Sequence, residues 1–395
     1  MKITKKQQAL QSKVIDVIYT QGPISRIDIA NFTGITPATT SAITASLIES
    51  GLVTEAGEEI QQQTSGRRKI LLQIVANQQF FIGSELSEKY FSFCLTDNLG
   101  TVVKSNIVSF QPPHAFTDHS SNDYLQLLKQ FYHECLPYQP TAIGIALPGH
   151  FDPKQNKILT NNAIWNQFDL LQIAQSFDIP VFSENNVQSM AKAQRILKTS
   201  QTDSNFLYLH ISRGMFCSYM YQGEIYGSQN QRIGEIGHTT VNPDGELCEC
   251  GKRGCLQTYA SEAWIIKKAK ILFSHTKGTY LHQLIDDQNE INIKTIINAY
   301  HLGDDGINNI LQHALKYLAI TLENISLLID CRTIYLHSEL FNDAELFDLL
   351  QEKIQQNISL ANFERSQHLV ALPYTDLDGA VGACGFLISK FLLGK

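Results

Sequence analysis

The chain has 395 residues, more than one ordinary hydrophobic core accommodates, which points to two or three domains of roughly 100–200 residues each. With 43% hydrophobic and 17% charged residues it is neither disordered nor fibrous in composition, and its net charge of −7 excludes a general nucleic-acid coat. No run of about 18 apolar residues suggests a membrane span, and the opening MKITKKQQALQSK has no apolar stretch of the signal-peptide kind. The expected location is the cytoplasm, where clustered cysteines serve metals or catalysis more often than disulfides. The charge is uneven: residues 1–75 carry eight basic against six acidic side chains, the remainder 23 against 32. A mildly basic head on an acidic body is compatible with a local DNA-binding module.

In the head, Val14, Ile15, Val17 and Ile18 form one face of a first helix. GPISRIDIANFTG then supplies a Gly-Pro turn, Ser25 as a cap, Asp28 at the third helical position and Gly34 as a stop. In ITPATTSAITASLIESG, Thr36 caps a third helix, Pro37 suits its first position, and Ile43, Leu47 and Ile48 share a face. The opposite face is expected to carry Thr39, Thr40, Ser41, Thr44 and Ser46. Two short helices about a Gly-containing turn make a helix-turn-helix, whose second helix enters the major groove. The following segment reads as a two-stranded wing with Arg67, Arg68 and Lys69 near its tip, placed for phosphate or minor-groove contact. The candidate DNA contacts are Ser25, Arg26, Thr36, Thr39, Thr40, Ser41, Thr44, Arg67, Arg68 and Lys69. A three-helix domain with a merely solvated hairpin explains the same pattern without DNA.

Beyond residue 76 strands alternate with helices: strands around Asp97-Asn98-Leu99-Gly100, a helix near 121–135, a strand in TAIGIALPGHFD, and a strand, turn and helix in IPVFSENNVQSMAKAQRIL. A strand pair lies in NFLYLHISRGMFCSYMYQGEIYGS. The C-terminal helix carries Gly379, Gly382 and Gly385, spaced for close packing. The fold class is α/β, with expected domains at 1–75, 76–190 and 191–395. Two sheets facing a cleft are expected to gather the loops at 149–166, 183–188, 212–214 and 235–257 about one pocket.

The stretch GEIGHTTVNPDGELCECGKRGC concentrates Cys248, Cys250 and Cys255 within eight positions, ten residues and more beyond His238. Three thiolates and an imidazole suit tetrahedral Zn²⁺, and four protein ligands leave no open position, which marks a structural metal. Gly251 and Gly254 allow the chain to fold back on itself. A redox dithiol, or three unrelated buried thiols, is the alternative. Cys94, Cys135, Cys217, Cys331 and Cys384 lie in apolar contexts as core residues.

SGRRK after a helix-turn-helix, ALPGHFD, NNAIWNQFDL, ENNVQ and above all the Gly-His and Cys-x-Cys-Gly-x-x-Gly-Cys motif resemble the ROK family, which groups repressors, open reading frames and sugar kinases. The resemblance spans nearly the whole chain and implies a two-lobed actin-like (ribonuclease H-like) sugar-kinase fold, with the same four zinc ligands. It places a sugar against Asn162, Asn185, Asn186, Glu235, His238 and Gln257, with His238 serving zinc through one ring nitrogen and sugar through the other. Trp165 lines that pocket or belongs to the core. The kinases' Asp-x-Gly-Gly-Thr phosphate loop is matched here by Glu85-Leu86-Ser87-Glu88-Lys89, without either glycine, and their second, Gly-rich loop by Ser212-Arg213-Gly214-Met215. Their Glu-Asn-Asp appears as Glu184-Asn185-Asn186, and an amide cannot serve as the general base, whose loss typically lowers rates by about 10²–10⁴-fold. Gln257 stands where the family usually has Glu.

The resemblance therefore implies a kinase-inactive, sugar-responsive repressor related to xylose-, N-acetylglucosamine- and glucose-type repressors, with NNAIW nearest the xylose type. Its expected partners are an operator duplex, a sugar effector and a second copy (a homodimer, or a tetramer), because one recognition helix covers a half-site. A residual kinase, a regulator that senses a protein, a pocket kept only as a scaffold, and activation in place of repression are the alternatives.

Overall fold

The structure is a computed structural model that describes residues 4–58, 69–110, 121–152, 154–155, 157–160, 165, 168–197, 203–228, 230–357 and 368–394. Among them, no helix is long and apolar enough to cross a membrane.

The head consists of α1 (Lys5–Gln21), β1 (Ile24–Ser25), α2 (Arg26–Thr33), α3 (Pro37–Glu49), β2 (Val53–Glu58) and β3 (Ile70–Ile74). Local chemistry sets these boundaries. Thr4 and Gln7 form a reciprocal capping box on α1, Ser25 and Thr36 cap α2 and α3, and Gly34 ends α2 in the left-handed region at φ 69°. β3 pairs antiparallel with both β1 and β2, so the winged hairpin is present.

Next come β4 (Phe80–Leu86), β5 (Tyr90–Asp97), β6 (Val102–Ser109), α4 (Ser121–Cys135), β7 (Ala142–Leu147), β8 (His150–Asp152), β9 (Lys157–Leu159), α5 (Leu170–Gln175), β10 (Val181–Asn185) and α6 (Asn186–Leu197). The Asp97–Gly100 turn joins β5 to β6, and a second turn at Ser87–Lys89 makes the strand pair expected there into a three-stranded meander. The second lobe contains β11 (Phe206–Ile211), β12 (Met215–Tyr221), β13 (Glu224–Ile225), α7 (Gln257–Ala260), α8 (Glu262–His275), α9 (Leu281–Leu284), α10 (Ile293–His301), α11 (Asp305–Ser326), β14 (Thr333–His337), α12 (Ala344–Asn357) and β15 (His368–Leu372), and the chain closes on α13 (Asp378–Leu392).

One strand order occurs twice: β10-β7-β4-β5-β6 in the first sheet and β15-β14-β11-β12-β13 in the second. Each has an antiparallel meander followed by two parallel strands, the duplicated α/β architecture expected of the actin-like fold. In the first sheet β5 and β7 are buried along their whole length, as a strand covered on both faces should be. The alternation is visible in β4, where Ile82 joins Phe91, Phe93, Tyr124, Leu128 and Phe131 under α4, while Phe81 joins Ala380, Cys384 and Leu387 of α13. The second lobe packs Leu207, Leu209 and Ile211 of β11 with Leu311, Leu315, Leu318 and Leu322 of α11.

Two compact units result: residues 1–110, 116–202 and 376–395 form the first, residues 111–115 and 203–375 the second. This division departs from the boundaries expected at 75 and 190. α6 lies wholly in the first unit, and α13 returns to it rather than closing the second lobe. The head is not set apart either: Val14, Ile18, Leu47 and Leu72 share one hydrophobic core with Phe81, Ala142, Leu387 and Leu393.

The glycines let α13 sit this close. A methyl group at Gly83 would overlap the Ala380 carbonyl, and one at Gly385 would overlap Ala193 of α6. Gly83→Ala is expected to lower stability by about 1–3 kcal/mol, as overpacking does, whereas Gly278→Ala, exposed and with no atom in reach of a new methyl, stays within about 0.5 kcal/mol. Urea denaturation of both variants checks this.

Candidate functional site

The head distributes its candidate DNA contacts into three sets. Thr36 and Ser41 are exposed and Thr39 half-buried on α3, beside exposed Ala38, Ala42, Ala45 and Ser46, so the helix presents small hydroxyl and methyl groups. Thr40 and Thr44, expected on that wet face, are fully buried. Thr44 donates its hydroxyl to the Thr40 carbonyl at 2.9 Å and accepts from Arg26 Nε at 3.3 Å, which turns the polar stripe by about one residue from its expected direction. Ser25 is buried as well and spends its oxygen capping Asp28 N at 3.2 Å.

The cations come with acidic partners. Arg26 pairs with Glu55 at 3.1 Å, and Lys69 Nζ with Asp28 at 3.1 Å. Hydrogen bonding from Ser25, followed by Lys69, holds the Asp28 carboxyl below its ordinary range. Arg67 and Arg68 lie outside the described residues.

In the first lobe, Asn185 and Asn186 stand where β10 runs into α6. Asn185 accepts from Gln188 N through Oδ1 and donates to the Gly149 carbonyl through Nδ2, both at 2.9 Å, so it caps α6 and ties it to the turn after β7. Asn186 accepts from Val187 N at 2.9 Å and donates to Glu85 Oε1 at 3.2 Å. Glu85 is fully buried, also receives the Tyr90 hydroxyl at 3.2 Å, and lies against Gly379, where any side chain would collide with it. Burial pushes the Glu85 carboxyl up to about 7 despite those two donors, with Asp378 and Asp376 adding to the rise. The sequence set Glu85 at the head of the stretch matched to the kinases' first phosphate loop, but gave no sign that its carboxyl is enclosed. Trp165 is buried in the core, its ring 5.2 Å from that of Phe168. Asn162 lies outside the described residues.

In the second lobe, His238, Cys248, Cys250 and Cys255 bring one donor atom each to within 4.8 Å of the others, a group that could hold a metal ion. His238 Nδ1 lies 3.6 Å from Cys248 Sγ, and Cys250 Sγ 3.6 Å from Cys255 Sγ. Gly251 and Gly254 adopt φ 86° and 66°, and a side chain at Gly254 would run into the Asn242 carbonyl. The other ring nitrogen of His238, Nε2, stands 3.9 Å from Glu235 Oε2. Gln257 is buried and donates Nε2 to Cys248 Sγ at 3.3 Å and to Glu249 Oε1 at 3.1 Å. Its amide therefore braces the sulfur cluster, work a carboxylate has no hydrogen to perform. Of the expected sugar set, Asn185 and Asn186 belong to the first unit and Glu235, His238 and Gln257 to the second.

A profile of the ROK family matches residues 81–390. The chain belongs to the ROK family. Among curated ROK relatives it is 30% identical over 322 residues to the xylose repressor of Bacillus spizizenii strain W23, covering 80% of this chain and 78% of that one. It is 29% identical over 323 residues to the DNA-binding transcriptional dual regulator NagC of Escherichia coli K12, covering 80% and 77%. In fold it resembles a ROK transcriptional regulator described as a homologue of E. coli Mlc, with TM-score 0.77 at 24% identity over 98% of this chain and 97% of that. A ROK glucokinase from Streptomyces griseus shares the fold with TM-score 0.67 at 20% identity, over 78% and 98%. Repressors and kinases thus share this scaffold, and the side chains decide between them.

Glu85 makes one consequence measurable. Its carboxyl binds a proton more readily folded than unfolded, so its contribution to stability is complete below about pH 4.5 and is lost as pH rises through about 7. Glu85→Gln removes that dependence. Between pH 5 and pH 8 the wild type is expected to lose on the order of 3 kcal/mol relative to the variant, read by urea denaturation at both pH values.

Proposed function

We propose that this protein is a kinase-inactive, sugar-responsive transcriptional repressor of carbohydrate-metabolism genes, which binds an operator duplex as a homodimer. The observation that carries this is the exposed face of α3: Thr36, Ala38, Ser41, Ala42, Ala45 and Ser46 form a low surface on the second helix of a helix-turn-helix, next to a wing. Such a face fits closely into a major groove, where hydroxyls reach phosphates and base edges and methyl groups meet thymine methyls. One such helix covers a half-site, so two protomers are needed for an operator. The repressor relatives support the same reading.

Against kinase activity stands Asn186, whose amide oxygen accepts from Val187 N and whose nitrogen donates to Glu85. A group in that state removes no proton from a sugar hydroxyl. For the effector, Glu235 and His238 of the second unit are the groups whose chemistry suits sugar hydroxyls. Asn185 and Gln257 act one step back, by shaping α6 and the sulfur cluster.

Zn²⁺ fits the His238, Cys248, Cys250 and Cys255 set. Bond lengths of about 2.3 Å to sulfur and 2.0 Å to nitrogen give tetrahedral edges of about 3.8 Å and 3.5 Å, close to the separations of 3.6 Å found for both the sulfur pair and the sulfur–imidazole pair. With four protein ligands the metal is structural and holds the loop that carries Glu235 and His238. One equivalent of zinc per chain is expected by atomic emission, and Cys250→Ser, with three ligands left, should lose most of it on dialysis against a chelator.

A second reading, a protein as the signal, is favoured by Leu247, which is 59% exposed on the sulfur-rich loop. Fluorescence anisotropy on the DNA upstream of the gene, with and without D-xylose, D-glucose and N-acetyl-D-glucosamine, separates the two. Release by one sugar supports the first reading; tight binding that none of them alters supports the second. Ser41→Glu places a carboxylate on the groove face and is expected to weaken DNA binding at least tenfold with unchanged melting temperature; unchanged affinity overturns α3 as the recognition helix.

A further inference from the structure

Arg195, in the last turn of α6, forms a two-pronged ion pair with Asp16 of α1, with Nη1–Oδ1 at 2.6 Å and Nη2–Oδ2 at 2.8 Å. Both side chains are mostly buried, 11% and 15% exposed, unlike the surface pairs of the head. The opposite end of the same helix begins with Asn186 on Glu85. Between these ends α6 is locked to α13, whose Gly382 and Gly385 leave no room for a side chain against Met190 and Ala193. The last turn of α13 reaches the head in its turn, with Leu392 and Leu393 in one core with Val14 and Ile18. Tyr19 of α1 adds a third tie by donating its hydroxyl to the Asn98 carbonyl at 2.8 Å.

We propose that Asp16 and Arg195 are positioning residues that transmit the state of the Asn186 end of α6 to the DNA-reading head, a role that rests on the sugar-responsive reading above. A helix of 12 residues spans about 18 Å. Clamped by α13 along its length, it moves as a body, so a displacement at Asn186 arrives at Arg195 largely intact. The bidentate pair then fixes direction as well as distance, because a planar guanidinium holds a carboxylate in one orientation. A ligand shifts the head only through a difference in affinity between two arrangements of this connection, which makes the pair a determinant of the response and not of DNA recognition itself.

The test uses the full chain and operator DNA, with Kd measured without and with 10 mM D-xylose, D-glucose or N-acetyl-D-glucosamine (roughly a ten-thousandfold excess over a micromolar site). Asp16→Ala and Arg195→Ala are expected to reduce the sugar-induced change in Kd at least tenfold, while sugar-free Kd stays within threefold. The double variant should lose no more than either single one, as two halves of one interaction do. Single variants that keep the wild-type response, or losses that add in the double variant, overturn the proposal. Should the alanine variants fold poorly, Asp16→Asn keeps the shape and faces the same criteria. Should no sugar alter wild-type binding, it is the sugar reading that fails, and the pair is judged by hydrogen exchange: Arg195→Ala must then speed exchange in α1 at least tenfold with β4 and β7 unchanged, and equal rates in α1 overturn it.

Discussion

The close approach of α13 to the first sheet is the constraint from which the rest of the first unit follows. Eleven residues of that helix are buried, from Gly379 to Leu392, on a surface made flat by Gly83 of β4 and Gly144 of β7. Dispersion falls off steeply with separation, so a helix seated this deeply gains far more contact than one held off by side chains. The same seat draws α6 in through Gly382 and Gly385, and the final turn of α13 supplies core to the head. A chain whose first and last helices share one core has its head built into the first unit. It does not hang from a linker.

Polar bookkeeping explains Asn186 and Gln257, amides where the family resemblance sets carboxylates. A buried carboxyl such as Glu85 needs donors, and Asn186 supplies one where an aspartate would have set two acids face to face at 3.2 Å. Cys248 needs a donor towards its sulfur, and Gln257 supplies that where a glutamate would have brought a second negative charge. Each amide thus satisfies a neighbour that a carboxylate would have repelled. The two replacements read as losses against a catalytic template and as repairs within their own surroundings.

This separates what was legible in the sequence from what was not. The cluster of His238, Cys248, Cys250 and Cys255 was legible because its geometry is largely local: Gly251 and Gly254, between Cys250 and Cys255, let the chain fold back on itself. The head helices were legible for the same reason, through Ser25, Thr36, Pro37 and Gly34. Thr40 and Thr44 were misplaced because threonine suits both a wet face and a helix interior, where its hydroxyl bonds back to the preceding turn. The membership of α13 was hidden by sequence distance, since Gly83 and Ala380 meet only in the folded chain. The burial of Glu85 was hidden because nothing in a strand sequence announces which polar residue will be enclosed, and the role of Arg195 because its partner lies 179 positions away.

The pairing of the head's cations bears on how the head reads DNA. Arg26 and Lys69 already hold Glu55 and Asp28, and the head as a whole carries only two more basic than acidic side chains. Partly exposed pairs of this kind are worth about 0–1 kcal/mol, so on the proposed reading a phosphate would displace either carboxylate at little cost. The net electrostatic gain is correspondingly small, and a single head has little affinity for DNA of arbitrary sequence. On the proposed reading, discrimination then falls to the shape of the α3 face.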